Sequence, residues 1–442
     1  MEVLIIDQDG VGLDMALRFA EDGHQVRLYQ YNKPGKHNRA GEGFKGIKRV
    51  DDWRPSMSWA RDGLIIPTVN NKFLKELDAY RDHGFKIFGP TVASAALEID
   101  RAKGLEAMQA AGIDVPDYKT FSTLAAAEAF ARKADQAYVF KTMGDEEDKS
   151  LSYVASDPAD LVGWLQRKQA QGYKLKGQCM LQEKIDMVAE VGVSGWCGPR
   201  GFLDDKWQIC FEHKKLMSGE HGPNTGEQGT VCQYVENDLM AEEMLLPMER
   251  ALMKLGHCGD FAIGCGVDSK GKAWPFEFTC RLGWPAFFIQ MASHKGDSAR
   301  WMRDLLDGKD TLKVDRRVAI GVVLAQPRYP YGDSDPLMVE GNPISGADEV
   351  WDQVHPVDMM IGRGPTMLGG KVADAPIYQT SGEYVMVVSG LGGSVAAARE
   401  KVYGAVKQIK FSNLMVRDDI GEKVIEKLPE LHKMGYAMEM KP

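Results

Sequence analysis

Three stretches of this chain hold residue types whose spacing suits chemistry on an anion. The first runs Glu212-His213-Lys214-Lys215-Leu216-Met217-Ser218-Gly219-Glu220-His221-Gly222-Pro223-Asn224-Thr225-Gly226-Glu227-Gln228-Gly229, between two segments that read as strands. Its four glycines let backbone N–H groups approach an anion closely, and His213, Lys214 and Lys215 put positive charge at its entrance. Two readings stay open: a phosphate or carboxylate site, and a solvated hairpin loop. The second stretch is Trp274-Pro275-Phe276-Glu277-Phe278-Thr279-Cys280-Arg281-Leu282-Gly283. Strand alternation puts Glu277 and Thr279 on one face, and Arg281 follows on it. That suits a site for charged oxygens, and it also suits a half-buried strand with a surface acid and arginine. In the third, Tyr138-Val139-Phe140-Lys141 is a strand ending in lysine, and Met180-Leu181-Gln182-Glu183-Lys184-Ile185 is a strand leading to Glu190.

The elements around these residues read as α/β. Val3-Leu4-Ile5-Ile6-Asp7 is a short buried strand, Gly10-Val11-Gly12 a turn, and Leu13 to Ala20 a helix that Gly23 ends. Gln25–Tyr29 is the next strand, which completes a strand–turn–helix–strand unit. Further strands are predicted at 63–66 and 85–88, with a helix over 72–83 between them. The chain has 442 residues, enough for two to four domains. Its 44% hydrophobic and 26% charged residues are those of a soluble globular protein. No run of eighteen apolar residues or signal peptide is expected, because Asp7 and Asp9 interrupt the apolar start. Seven cysteines without a C-x-x-C pair read as reduced, buried thiols in the cytoplasm. A net charge of −9 argues against binding driven by nucleic-acid phosphates.

The order and wording of these motifs resemble the glycinamide ribonucleotide synthetase (phosphoribosylamine–glycine ligase) family of ATP-grasp ligases. Gly222-Pro223-Asn224-Thr225-Gly226 looks like that family's Gly-Pro-Asn-Thr-Gly loop, and Glu212-His213-Lys214 stands where the family has Asp-His-Lys. Glu277–Gly283 is similar to its Glu-Phe-Asn-Cys-Arg-Phe-Gly segment. Lys86–Thr91, Gly112–Pro116, Ser381–Val388 and Arg417-Asp418-Asp419-Ile420-Gly421 match it elsewhere, over about residues 1 to 425. The resemblance implies an N-terminal open α/β domain over 1–100 and an ATP-grasp domain over 101–320, with a lid at about 118–185. A small α+β domain over 321–425 and a tail over 426–442 follow.

The same resemblance implies an ATP-dependent carboxylate–amine ligase of the purine-biosynthesis type, working through an acyl phosphate. Arg101, Lys141, Lys149 and Lys214 would meet nucleotide phosphates. Glu183, Lys184, Ile185 and Glu190 would hold adenosine, and Glu277 and Thr279 would hold Mg²⁺ (or Mn²⁺). Arg281 would meet the γ-phosphate, and Asn224, Thr225 and Gly226 would position the carboxylate. The expected partners are a small amine and an amino acid, glycine first, with no nucleic acid, no membrane, and a monomer or homodimer. The alternatives are an amino-acid ligase for a different amine, such as a modified nucleotide or base, and a non-catalytic nucleotide-binding relative.

Departures cluster at two places. The family's glycine-rich lid loop becomes Thr142-Met143-Gly144-Asp145-Glu146-Glu147-Asp148-Lys149-Ser150, whose four acids repel a triphosphate unless a cation intervenes. The family's opening Gly-Asn-Gly-Gly-Arg-Glu-His turn, beside the phosphoribosylamine site, becomes Asp7-Gln8-Asp9-Gly10-Val11-Gly12-Leu13-Asp14. Its Asn on the metal strand becomes Thr279, and its Asp-Pro-Glu becomes Trp284-Pro285-Ala286. Acids near the first turn are expected to oppose a phosphate ester there.

Overall fold

The computed structural model describes residues 1–8, 10–31, 38–69, 72–143, 152–332 and 334–442. The first sheet is parallel and open: β1 (Glu2–Asp7), β2 (Gln25–Gln30), β3 (Ile47–Val50) and β4 (Leu64–Pro67) lie in the order β3-β2-β1-β4. The unbroken apolar run of β1 follows from burial on both faces. Val3 and Ile5 pack with Leu13, Leu17 and Phe19 of helix α1 (Gly12–Glu21). Leu4 and Ile6 pack on the other face with Trp53, Leu74 and Leu77, the two leucines on α2 (Leu74–Asp82). The strand predicted at 85–88 is reduced to two single bridges, Ile65 with Ile87 and Gly89 with Cys258. Helices α3 (Val92–Ile99) and α4 (Arg101–Ala110) then lead away, with Asp100 capping α4 through the N–H groups of Ala102 and Lys103.

A second sheet is antiparallel, in the order β5-β8-β6-β7: β5 (Tyr118–Phe121), β6 (Tyr138–Thr142), β7 (Tyr153–Val154) and β8 (Cys179–Glu183). Helices α5 (Leu124–Ala131) and α6 (Pro158–Ala170) cover one face, burying Leu124, Leu161, Trp164 and Leu165 against Phe140 and Leu181. Alternation then turns Lys141, Met180 and Gln182 to the other face.

The largest sheet is antiparallel. Its strands are β9 (Met187–Gly198), β10 (Gly201–Phe202), β11 (Trp207–Met217), β12 (His221–Val235), β13 (Gly259–Asp268) and β14 (Ala273–Thr279). After the short pair β15 (His294–Lys295) and β16 (Lys313–Val314), it continues into β17 (Val318–Ala325). A separate three-stranded sheet holds β18 (Glu340–Pro343), β20 (Met359–Leu368) and β21 (Lys371–Ser381). The strands β19 (Val354–Pro356) and β22 (Tyr384–Gly392) complete the main sheet, in the order β14-β13-β9-β11-β12-β17-β22-β19, with β10 on β9. One sheet therefore runs through the boundary expected at 320, where Thr230 pairs with Gly321. The stretch expected as a tail is docked. Leu428, Leu431, Tyr436 and Met440 are buried, and Tyr436 donates to Glu243 at 2.9 Å.

The glycine-rich stretch is mostly strand. Its turn is only Ser218–Glu220, with Gly219 at φ 71°. Between His213↔Gly229 and Lys215↔Asn224, β11 advances two residues while β12 advances five. Thr225 to Gln228 thus form a bulge, which the Thr225 hydroxyl pins to the Lys214 carbonyl at 2.8 Å. The expected charge of His213 is absent. His213 is fully buried, accepts from Gly421 N at 3.1 Å, and its pKa falls to about 3, first through burial and then through Lys423 and Arg417.

Arg417 fastens the hairpin tip. It donates to the Lys215 carbonyl at 2.8 Å, to Glu220 at 2.9 Å and to both oxygens of Asp419 at 2.8 and 2.9 Å. Asp419 in turn accepts from Gly219 N at 2.8 Å. Arg417→Ala should cost about 2–3 kcal/mol, short of a fully buried network because Glu220 is half exposed. Urea unfolding measures it, and an unchanged midpoint would show that the tip holds without the arginine.

Candidate active site

The face of the main sheet that bears Glu277 is read across by register. Glu277 on β14 pairs with Gly264 on β13, which pairs with Gly192 on β9, which pairs with Cys210 on β11. One step along, Thr279, Ala262, Ser194 and Gln208 form the next row. The helix Ala286–Ser293 covers the far part of this face, where Ile289 packs on Cys210, Cys232 and Ala319. Over β9, β13 and β14 the face stays open. There a cleft of about 610 Å³ has a floor of glycine backbone and a rim that includes Glu212, Lys214, Glu277, Thr279 and Arg281.

A cavity of about 390 Å³ adjoins it and shares Glu277. Its walls include Arg101 from α4, Lys141 from β6, and Met180 and Gln182 from β8. Lys141 Nζ donates to Gln182 Oε1 at 2.7 Å and to the Phe276 carbonyl at 3.4 Å. Burial, then Arg101, lowers its pKa to about 8.

Glu277 gathers the cations. Its two oxygens lie 3.7 Å from Arg101 Nη1 and 3.7 Å from Lys214 Nζ. Lys214 also pairs with Glu212 at 3.0 Å, and chiefly that carboxylate holds its ammonium well above the ordinary lysine range. Glu190, on β9 opposite Gly266, adds negative potential at both Lys141 and Lys214. Arg281 lies just past the end of β14. Its Nε is 3.4 Å from Glu98 Oε1 and its Nη1 donates to the Leu282 carbonyl at 3.0 Å, while Glu98 also accepts from Cys280 N at 2.7 Å. Glu98 thus fixes the arginine that the motif supplies.

The structure brings together Arg101, Lys141, Lys214, Glu277, Thr279 and Arg281 from the sequence-predicted set. Glu183, Lys184 and Ile185 sit half-buried where β8 passes to β9, and Lys184 N donates to the Ala137 carbonyl at 3.1 Å. Asn224, Thr225 and Gly226 lie along the hairpin rather than in the cleft wall; the buried Glu227 next to them lines it instead. Lys149 and the lid acids lie outside the described residues. Sequence reasoning gave no role to Gln182, Glu98, Glu227, Asp260 or Gln290. Only the parity of Gln182 with Met180 and Lys141 across β8 and β6 offered a signal.

Of the acids of the first turn, Asp7 and Asp14 have internal partners, and Asp9 lies outside the described residues. Asp7 Oδ1 accepts from Gly10 N at 3.1 Å and from the Thr68 hydroxyl at 2.9 Å. Asp14 pairs with Arg18 at 2.8 Å and with His355 at 2.8 Å, and it stays ionised below the usual carboxylate range because these partners outweigh its burial. The turn is also covered. A side-chain carbon at Gly10 would meet Val357 at 2.9 Å and the Trp284 indole at 3.3 Å. Of the basic residues after β2 that could meet a phosphate, Arg39 pairs with Glu42 at 2.9 Å, and Lys33 and Lys36 lie outside the described residues.

Among the described residues no three His, Cys, Asp or Glu side chains form a metal cage, and no helix is long and apolar enough to cross a membrane. One carboxylate beside a hydroxyl suits a hard divalent ion that takes its other ligands from phosphates and water.

Residues 319–423 match the family model described as the phosphoribosylglycinamide synthetase C domain. A phosphoribosylamine–glycine ligase of Ralstonia nicotianae is 30% identical over 363 residues, covering 79% of this chain and 82% of the relative. The crystal structure of a phosphoribosylamine–glycine ligase from Thermotoga maritima superposes with a TM-score of 0.72 at 20% identity, over 95% of this chain and 100% of that one. A biotin carboxylase domain of the Hydrogenobacter thermophilus 2-oxoglutarate carboxylase, solved with MgADP, superposes at 0.59 and 13% identity, over 99% of each chain. The fold and the cleft define an ATP-grasp enzyme, an ATP-dependent ligase that forms C–N bonds. Within that class the chain belongs to the phosphoribosylamine–glycine ligase family.

Two outcomes follow from this geometry. Glu277→Gln should lower Mg²⁺-dependent ATP turnover at least about 100-fold, because the ion has few protein carboxylates to hold it. Full activity at ordinary Mg²⁺ would remove the metal assignment. In the free enzyme Lys141 loses its charge as pH rises through about 8. ADP affinity by calorimetry should therefore fall above that pH, and Lys141→Arg should move the fall upward; a flat profile to pH 10 would place Lys141 away from the phosphates.

Proposed function

We propose that this enzyme uses Mg²⁺-ATP to activate the carboxylate of a small amino acid, glycine first, and joins it to a primary amine. The gathering of Arg101, Lys141, Lys214 and Arg281 along two adjoining cavities that share Glu277 supports this. Arg101 from α4 and Lys214 from β11 pair with that carboxylate, Lys141 from β6 and Arg281 from the end of β14 line the same cavities, and Gly192 and Gly264 form part of the floor.

A carboxylate oxygen of the amino acid attacks the γ-phosphorus, and the bond to the β-phosphate oxygen breaks with release of ADP. The amine nitrogen then attacks the acyl carbon, phosphate departs, and the nitrogen loses a proton. Arg101 and Lys141 bind the phosphates; Lys149 is assigned the same task by the family resemblance. Lys214 and Arg281 stabilise charge that grows on the transferring phosphoryl oxygens. Glu183, Lys184, Ile185 and Glu190 hold adenosine at the junction of lid and main sheet. Glu277 and Thr279 would hold Mg²⁺, which supplies charge neutralisation at the phosphates. Asn224, Thr225 and Gly226 set the position of Lys214 through the bulge and so place the carboxylate.

By their name, the relatives act on phosphoribosylamine and glycine, which makes phosphoribosylamine the first acceptor to test. One observation favours a different amine. Asp7 takes the Gly10 N–H, and the Trp284 indole covers the turn where a helix start would otherwise offer donors to a phosphate. ADP release should require both an amino acid and an amine. With freshly generated phosphoribosylamine and glycine, kcat/KM should be low and should rise about tenfold in Trp284→Gly. Normal-range turnover by the parent, unaffected by the substitution, would return phosphoribosylamine to first place.

A further inference from the structure

The cleft has a second polar end. Asp260, two residues before Ala262 on β13, sits roughly 7 Å further along the strand than the Thr279 row, on the side away from Glu190. It is 4% exposed and lines the cleft together with Ser194, Arg281 and Gln290. Its Oδ2 accepts from Gln290 Nε2 at 3.2 Å, and the same nitrogen donates to Gln208 Oε1 at 2.7 Å. Ser194 Oγ donates to that same Gln208 oxygen at 3.3 Å. Two acceptors of this network, Asp260 Oδ1 and Gln290 Oε1, and one donor, Gln208 Nε2, are buried without a hydrogen-bond partner. Burial pushes the Asp260 carboxyl up to about 7, outweighing Gln290, the Gly283 and Phe261 backbone groups and Arg281, which all favour its charged form.

We infer that Asp260 and Gln290 form the subsite for the α-ammonium group of the amino-acid substrate, whose carboxylate faces Arg281 and the phosphates. This assignment rests on the ligase activity proposed for the cleft. An ammonium carries three donors and one positive charge: Asp260 Oδ1 and Gln290 Oε1 accept two of the donors, and the Asp260 carboxylate meets the charge. Arg281 on the adjoining strand end lines the same cleft, acts electrostatically on Asp260 and provides the opposite charge that a zwitterion needs. Ala262, Gly283 and Ala286 supply small walls here, which suit a short amino acid. A buried site that hydrogen-bonds an amino group rejects the analogue lacking it, because its own acceptors are then left unpaired.

Calorimetry tests this with glycine and with acetate, its counterpart without the amino group. The enzyme is first saturated with Mg²⁺ and a non-hydrolysable ATP analogue. The parent should bind glycine and discriminate against acetate. Asp260→Asn should weaken glycine about tenfold to a hundredfold and leave acetate and the nucleotide unchanged. Gln290→Met, which keeps the charge, should show a smaller loss in the same direction, and it serves should the first variant melt below the parent. Unchanged glycine affinity in both variants, or a parent that binds acetate as tightly as glycine, overturns the assignment. Hydroxylamine trapping of the acyl phosphate separates the two claims. A parent that binds glycine in this way but yields no hydroxamate sinks the ligase activity and leaves the ammonium subsite standing.

Discussion

The carboxylate of Glu277 is the point on which the site depends. Arg101 and Lys214 each stand 3.7 Å from it, and they come from α4 and β11. Neither is near Glu277 in sequence, so their meeting needs β9, β11, β13 and β14 in register. A slip of one residue would turn Glu277 into the apolar layer that holds Phe278. The same register puts Gly192 and Gly264 beside it, leaving bare backbone in the cleft. Electrostatics and space at the site are thus two results of one strand pairing.

The hairpin that carries Lys214 is secured from a distance. Its tip is bound by Arg417, Asp418 and Asp419, some two hundred residues later in the chain. His213 points the other way and receives the N–H of Gly421. This explains why charged residues recur near the end of the chain beside a glycine: they brace the strand that presents the lysine. Thr225 reinforces the same strand from within the hairpin.

The end of the cleft near the first domain has a different character. Trp284 packs against Tyr384 with ring centroids 4.9 Å apart and covers the Gly10 turn. Asp7 and Asp14, which look like repulsive charges in the sequence, are consumed by internal contacts with Gly10, Thr68, Arg18 and His355. Among the described residues of this turn, the Gly10 N–H is taken by Asp7 and an indole covers the glycine.

Much of the fold was legible in the sequence because it rests on local signals. The apolar run of β1, the turn glycines and the strand alternation around Glu277 each act within a few residues. The ordered motifs likewise named Lys141, Lys214, Glu277 and Arg281, which line two adjoining cavities. Other features were decided only by tertiary structure. The bulge at Thr225–Gln228 depends on how far β12 runs against β11, and the neutral state of His213 depends on burial under residues 417–421. The paired state of Asp14 depends on His355, 341 residues away. Asp260 and Gln290 carry no motif at all, and the packing of a helix against a sheet makes them neighbours. Sequence fixes which groups are present and which face of a strand they share; burial and long-range partners decide which of them stay charged and which stay unsatisfied.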